Sequence, residues 1–331
     1  MVKVAIVGFG YWGKNLVRNF NSIDNCNLAY VCEKNEVLGE KCKKLYPNVE
    51  VVNDFQILLN DKSLSAIIIA TPVDTHYNLA KQSLLAGKNV LVEKPLTNSL
   101  AEAEELKKIA EDSNLLLMVD HTFLYTGAVQ YIKKLIDSNV LGNLQYIDSI
   151  RINLGLFQHD VNVLWDLAAH DISICLYLTG KFPDSVDAIG LSHTGNNIEN
   201  IAYLTLKFDK DLIAHFNCSW ISPVKIRQML IGGDKKMILY NDNEPTEKIK
   251  IYDTGYIAKT DEERTKILVD YRVGDISVPK IESSEALTLM ALDFINSIES
   301  GSSPISNSKL GVEVVKILEA AQKSIENQTK K

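Results

Sequence analysis

Asp166 and His170 stand four residues apart in Asp166-Leu167-Ala168-Ala169-His170, a stretch with a helical apolar pattern, so carboxylate and imidazole share one helix face. An imidazole with an ordinary pKa of about 6.5 can take the proton of an alcohol at neutral pH while a hydride leaves the same carbon. The carboxylate can orient the ring, stabilise the imidazolium or bond a neighbouring hydroxyl, and the spacing does not separate these roles. Taken alone, such a pair is more often a surface ion pair or a satisfied buried histidine. Lys94, in Val92-Glu93-Lys94-Pro95, adds a second chemistry. An ammonium at the end of a strand can stabilise developing alkoxide character during hydride abstraction and can polarise a ketone in the reverse direction.

Hydride chemistry needs a carrier, and Gly8-Phe9-Gly10-Tyr11-Trp12-Gly13 follows an apolar strand and opens a helical pattern. Gly8 allows the tight turn, Gly10 lets the backbone approach a pyrophosphate, Gly13 allows close packing of helix on strand, and the helix N-terminus supplies N–H groups for the anion. An acid arrives at the end of the next strand, Leu28-Ala29-Tyr30-Val31-Cys32-Glu33, where it can hold the ribose hydroxyls of an adenosine. A carboxylate there repels a 2′-phosphate and favours NAD over NADP, while Lys34 beside it works the other way. Thr71, Pro72 and Glu93 are expected to border the cofactor. His76 either contacts it or supports the helix that follows.

These residues require a doubly wound frame. Short β-branched runs at Val4–Val7, Leu28–Cys32, Ala66–Ala70, Val90–Val92 and Leu115–Val119 alternate with amphipathic stretches. Continuous apolar runs such as Ala66-Ile67-Ile68-Ile69-Ala70 suit parallel strands buried on both faces. After His121 the pattern changes to two helices, near 128–138 and 164–178, then to strand-like runs from about 186 to 278. Turn signals at Phe208-Asp209-Lys210-Asp211 and Gly232-Gly233-Asp234-Lys235 make that second sheet largely antiparallel. Two helices near 284–299 and 308–327 end the sequence. The expected fold is therefore α/β: a Rossmann domain over residues 1–121 and an α+β domain, for substrate binding and oligomerisation, over residues 122–331.

Composition narrows the partners. The net charge of −7 in 331 residues comes from interspersed lysines and carboxylates rather than a basic stripe, which argues against nucleic acid. No run of about 18 apolar residues offers a membrane span, and Met1-Val2-Lys3-Val4 leads into a strand without signal-peptide grammar, so a cytoplasmic location is expected. Cys26, Cys32, Cys42, Cys175 and Cys218 form no C-x-x-C pair, which gives no zinc site and no disulfide framework, and no metal is expected. His121, His159, His193 and His215 lack a carboxylate at helical spacing, although His121 and His159 lie near candidate segments.

Three segments together resemble the Gfo/Idh/MocA oxidoreductase family: Ala5-Ile6-Val7-Gly8-Phe9-Gly10, Ile69-Ala70-Thr71-Pro72 with His76, and Ala86-Gly87-Lys88-Asn89-Val90-Leu91-Val92-Glu93-Lys94-Pro95. The resemblance spans nearly the whole chain. It implies that Lys94 lies near the nicotinamide and that Asp166 and His170 are the D-x-x-x-H acid and histidine, with Ala168 where the family often has glycine. Segments His121–Tyr125, Arg151–Gln158 and Asp160–Asp166 resemble the branch of nucleotide-sugar 3-dehydrogenases acting on UDP-N-acetylglucosamine or its uronic acid. That implies a 3-keto nucleotide sugar as product and a transaminase as the next enzyme. Arg151 and Asn153, two apart on a strand, share a face and can meet a diphosphate or sugar hydroxyls, while an ion pair within the framework accounts for Arg151 equally well. Members of the family commonly pair their open sheets, so a homodimer or homotetramer is expected. Alternative readings are a dehydrogenase of free sugars or cyclitols, a keto-sugar reductase, or a non-catalytic NAD(H) sensor.

Overall fold

Four consecutive apolar residues, Ala66-Ile67-Ile68-Ile69, have no solvent exposure in the computed structural model, which describes residues 1–155, 161–195, 197–253, 255–257, 270–272 and 274–329. They form β4 (Ala66–Ile69), an inner strand of a six-stranded sheet. Its other strands are β1 (Val2–Val7), β2 (Cys26–Cys32), β3 (Glu50–Val52), β5 (Asn89–Glu93) and β6 (Leu117–Asp120), in the order β3-β2-β1-β4-β5-β6. Every pairing in it is parallel. Connecting helices are α1 (Tyr11–Phe20), α2 (Glu36–Leu45), α3 (Phe55–Asn60), α4 (Val73–Leu85) and α5 (Leu100–Asp112). The strand order reverses between β1 and β4, so their carboxyl ends open the crevice where doubly wound sheets take ligands. The three-residue β3 is too short to have a periodicity of its own.

Contacts divide the chain differently from the boundary expected at residue 121. Met1–Thr126 and Ser284–Lys316 make one unit, and Gly127–Ser283 with Ile317–Lys331 make the other. The C-terminal helix α8 (Ala286–Ser300) joins the first unit because its apolar side finds partners there. Phe294 meets the edge of Phe20 from α1, and the Arg18 guanidinium holds Glu285. Helical periodicity announces such a face but not the surface it covers.

The second unit begins with α6 (Gly127–Asp137) and β7 (Leu144–Leu154) and continues through α7 (Ala169–Thr179) into β8 (Ser185–Leu191), β9 (Ile201–Phe208), β10 (Leu212–Ser219), β11 (Ile221–Gly233), β12 (Met237–Asn241) and β13 (Ile249–Tyr252). A small β14 (Gly255–Ile257) and β15 (Asp270–Arg272) pair with each other, and β16 (Ile276–Ser277) pairs with β13. The large sheet runs β16-β13-β12-β11-β7-β10-β9-β8 and is antiparallel except at β7–β10. Along β9, Ala202, Leu204, Leu206 and Phe208 point into the core while Tyr203 and Lys207 point out, the alternation that fixes a half-buried strand. The last helix, α9 (Ser308–Thr329), contributes residues to both units. Among the described residues no helix is long and apolar enough to cross a membrane.

Candidate active site

The glycine turn leaves β1 with Gly8 at φ +96°, a conformation that side chains rarely adopt, and a Cβ there would lie 2.5 Å from Ala70 O. A Cβ on Gly13 would lie 2.1 Å from Gly8 O, so this glycine is required for α1 to sit against the turn. At Gly10 a Cβ would meet nothing within 4 Å. The space beside Gly10, together with an α1 N-terminus that has no side-chain cap and no acid in its first turn, suits an anion approached by backbone N–H groups. Glu33 directly follows β2. Its Oε2 accepts the Phe9 N–H at 2.6 Å and its Oε1 accepts the Asn35 N–H at 2.8 Å, tying the end of β2 to the turn. The Phe9 side chain is fully buried, while Tyr11 and Trp12 are exposed and pack edge to face on each other. Lys34 is exposed.

Thr71 and Pro72 begin α4 at the carboxyl end of β4. His76, one turn into that helix, is only 1% exposed. Its Nδ1 lies 2.9 Å from Pro95 O and its Nε2 2.8 Å from Thr71 O. Burial lowers its pKa against the pull of these carbonyls, which favours the neutral ring. The neutral ring carries one N–H and donates to one of the two carbonyls, while both nitrogens face the protein interior. The cofactor contact considered for His76 gives way to the supporting role: it links the Thr71-Pro72 turn to the Lys94-Pro95 turn, whose peptide bond is cis.

Glu93 is the last residue of β5 and is buried rather than lining an open surface. Asp120, the last residue of β6, pairs with it across the ladder, and His121 follows. Burial and the Asp120 charge hold the Glu93 carboxyl well above the usual carboxylate range, and burial also raises Asp120 against the Thr122 hydroxyl bonded to it. Burial and the nearby Lys94 cation push the His121 imidazole down to about 3. Asp120 was missed in the sequence because an acid ending a strand is ordinary there. Only the β5–β6 register shows that it faces Glu93.

In the second unit a π-helical turn over Leu164–Ala168 carries Asp166, and His170 lies in the first turn of α7. Such wide turns recur at functional sites. Asp166 Oδ2 accepts the Trp220 indole N–H at 3.0 Å, a partner that sequence spacing does not reveal. Trp220 and the Asn153 amide both border Gly155, so Asn153 lies in the same neighbourhood. Arg151 Nε and Nη2 bind Asp171, with Nη2 to Oδ1 at 2.6 Å, and their side chains are 5% and 4% exposed. Asp171 also accepts Ser149 Oγ–H at 2.9 Å. The substrate contact considered for Arg151 thus gives way to a framework ion pair fastening α7 to β7, because the guanidinium Nε and Nη2 are both held by a buried carboxylate. His193 pairs with Asn200 and His215 with Thr205, while His159 lies outside the described residues.

Comparison with known proteins matches residues 2–121 to an oxidoreductase family with an NAD-binding Rossmann fold and residues 129–239 to the GFO/IDH/MocA C-terminal domain. The chain is 27% identical to scyllo-inositol 2-dehydrogenase (NADP(+)) IolW of Bacillus subtilis, over 98% of this chain and 93% of that protein. It is 28% identical to UDP-N-acetylglucosamine 3-dehydrogenase of Acidithiobacillus ferrooxidans, over 70% of this chain and 71% of that protein. The solved structure of the latter enzyme, GnnA, superposes with a TM-score of 0.84 at 21% identity and covers 98% of both chains.

Proposed function

The chain belongs to the Gfo/Idh/MocA family of NAD(P)-dependent oxidoreductases, and from that premise we propose that it uses NAD to oxidise the C3 hydroxyl of a nucleotide sugar, UDP-N-acetylglucosamine or its uronic acid, to a 3-keto sugar. The observation that carries the reading is the presence of Lys94 just after β5, of Asp166 in the π-helical turn and of His170 in the first turn of α7, in a chain related to a UDP-N-acetylglucosamine 3-dehydrogenase.

Gly8, Gly10, Gly13 and the first turn of α1 would hold the pyrophosphate, Glu33 the adenosine ribose, and Thr71 and Pro72 the border of the crevice. Bound NAD supplies the hydride acceptor. The Glu33 carboxylate, fixed by two backbone N–H groups, repels a 2′-phosphate, which supports NAD over NADP. The Lys94 ammonium donates to the reacting oxygen and stabilises its alkoxide character. The His170 imidazole takes the hydroxyl proton, and Asp166, held by the Trp220 indole, positions that step. The Asn153 amide offers donors and an acceptor to sugar hydroxyls. The apolar outer face of the large sheet, with Ile189, Leu191, Tyr203 and Ile213 exposed, supports pairing with a second copy as a homodimer or within a tetramer.

A second reading, oxidation of a free cyclitol or sugar, is favoured by the relation to the scyllo-inositol dehydrogenase over nearly the full chain. Anaerobic incubation with NAD or NADP and either a nucleotide-sugar panel or inositols separates the two readings. NADH formation with loss of two hydrogens from UDP-N-acetylglucosamine or its uronic acid, abolished by His170→Ala and Lys94→Met, is the expected result. Turnover confined to inositols would replace the first reading by the second.

A further inference from the structure

A helical turn begins with N–H groups that its own backbone cannot satisfy, and at the turn carrying Asp166 one side chain takes them up. Asn162 Oδ1 accepts the N–H groups of Leu164 at 3.1 Å and Trp165 at 3.3 Å, and its backbone carbonyl accepts the Asp166 N–H at 3.2 Å. The amide reaches the other way as well: Nδ2 donates to Glu199 Oε2 at 2.9 Å and to Gln322 Oε1 of α9 at 2.6 Å. Asn162 is 5% exposed, so these bonds are made away from bulk water, where a lost partner is not replaced. The residue after Glu199 closes a ring. Asn200 O accepts the Trp220 N–H at 2.9 Å, the Trp220 indole donates to Asp166 Oδ2 at 3.0 Å, and Asp166 returns to Asn162 through its own N–H. Trp220 lies between β10 and β11 and is 1% exposed, so the sheet holds the indole. Asn162 thus fixes the backbone of Asp166, Trp220 fixes its carboxylate, and Glu199-Asn200 joins the two supports.

We propose that Asn162 is a positioning residue for the reaction: through this ring it keeps the Asp166 carboxylate on the Trp220 indole and so sets the place from which Asp166 acts. The proposal rests on the role given to Asp166 above, and its first test needs no substrate. The chain has three tryptophans, Trp12, Trp165 and Trp220. Isotope labelling of the indole nitrogens in the whole protein gives one magnetic-resonance signal for each, and Trp220→Phe identifies that of Trp220. Asp166→Asn, which takes the charge from the acceptor, should move this signal upfield. Asn162→Ala should move it the same way while the Trp12 signal stays in place. Glu199→Ala, which leaves the Asn162 cap on Leu164 and Trp165 intact, should do so too, and Glu199→Gln, which keeps an acceptor for the Asn162 amide, should restore the parent position.

A Trp220 signal unmoved in Asn162→Ala and Glu199→Ala overturns the proposal. Should Asn162→Ala not fold, Glu199→Ala alone decides. With whichever substrate the parent turns over, Asn162→Ala should lower kcat about 10–100-fold with KM little changed. In an Asp166→Asn background it should lower kcat no further, because a residue that acts through Asp166 has nothing left to act through. Losses that add in the double variant would show Asn162 working apart from Asp166, and they overturn the proposal. Absence of turnover in the parent would fault the substrate reading and leave the indole signal to decide this inference.

Discussion

His121 is a histidine whose neighbours never offer its ring a hydrogen bond: it is 1% exposed and both nitrogens are unpartnered. Folded, it titrates at about 3, whereas an unfolded histidine titrates at about 6.5. Between those values the unfolded chain binds a proton that the folded chain refuses, so stability is lost as pH falls below about 6.5. The loss is about 2 kcal/mol by pH 5. His76, also lowered by burial, acts in the same direction. Glu93 and Asp120 act oppositely: their raised pKa values mean that stability is lost as pH rises through them and regained on acidification. The His121 contribution is therefore read as a difference. Melting temperatures of the parent should drop more steeply between pH 7 and pH 5 than those of His121→Gln, and parallel slopes would show that the ring reaches a proton when folded.

At the scale of the element, two substitutions in one turn should part company. Gly10→Ala adds a methyl into open space, so folding is unchanged. The methyl then occupies the approach of the pyrophosphate, and NADH binding measured by fluorescence titration should weaken about tenfold or more, the loss of roughly one good hydrogen bond. Gly13→Ala drives a methyl onto the Gly8 carbonyl and should cost about 1–3 kcal/mol of stability as well as binding. Retained NADH affinity in Gly10→Ala would remove the pyrophosphate from this turn. The α7–β7 fastening makes a different prediction. Asp171→Asn leaves the Arg151 guanidinium buried without its counter-charge and should cost about 3–5 kcal/mol, whereas Arg151→Met combined with Asp171→Leu should cost far less. Urea unfolding midpoints compare them, and equal losses would mean that the pair itself, not the uncompensated charge, carries the stability.

The whole molecule is two units with different surface problems. A parallel sheet covered by helices hides its strands, but the eight-stranded sheet of the second unit leaves Ile189, Tyr203 and Ile213 on a face that its own helices do not cover. Register places Ile189 beside Tyr203 across one strand pair, and Ile213 opposite Lys207 across the next. In a two-fold pairing each residue would meet the same patch of the partner copy, so one added charge is introduced twice. Tyr203→Glu with Ile213→Glu should shift the protein to monomer in sedimentation velocity, and an oligomer unchanged by both would place the interface elsewhere.

What the sequence by itself determined is what short-range chemistry governs. A glycine turn after an apolar strand, an acid closing the next strand and Lys94 beside a proline are each specified within a few neighbouring residues, and the alternation of strands with helices follows from periodicity alone. The β4 run was legible for the same reason. Tertiary structure decided the rest, because partner choice depends on which distant residues share a face. It gave Arg151 to Asp171, turned both nitrogens of His76 toward carbonyls 19 and 5 residues away, and set Asp120 opposite Glu93. It also moved α8 to the first unit by matching Phe294 to Phe20. An apolar stripe or a lone charge states a need for a partner, and only the folded chain supplies one.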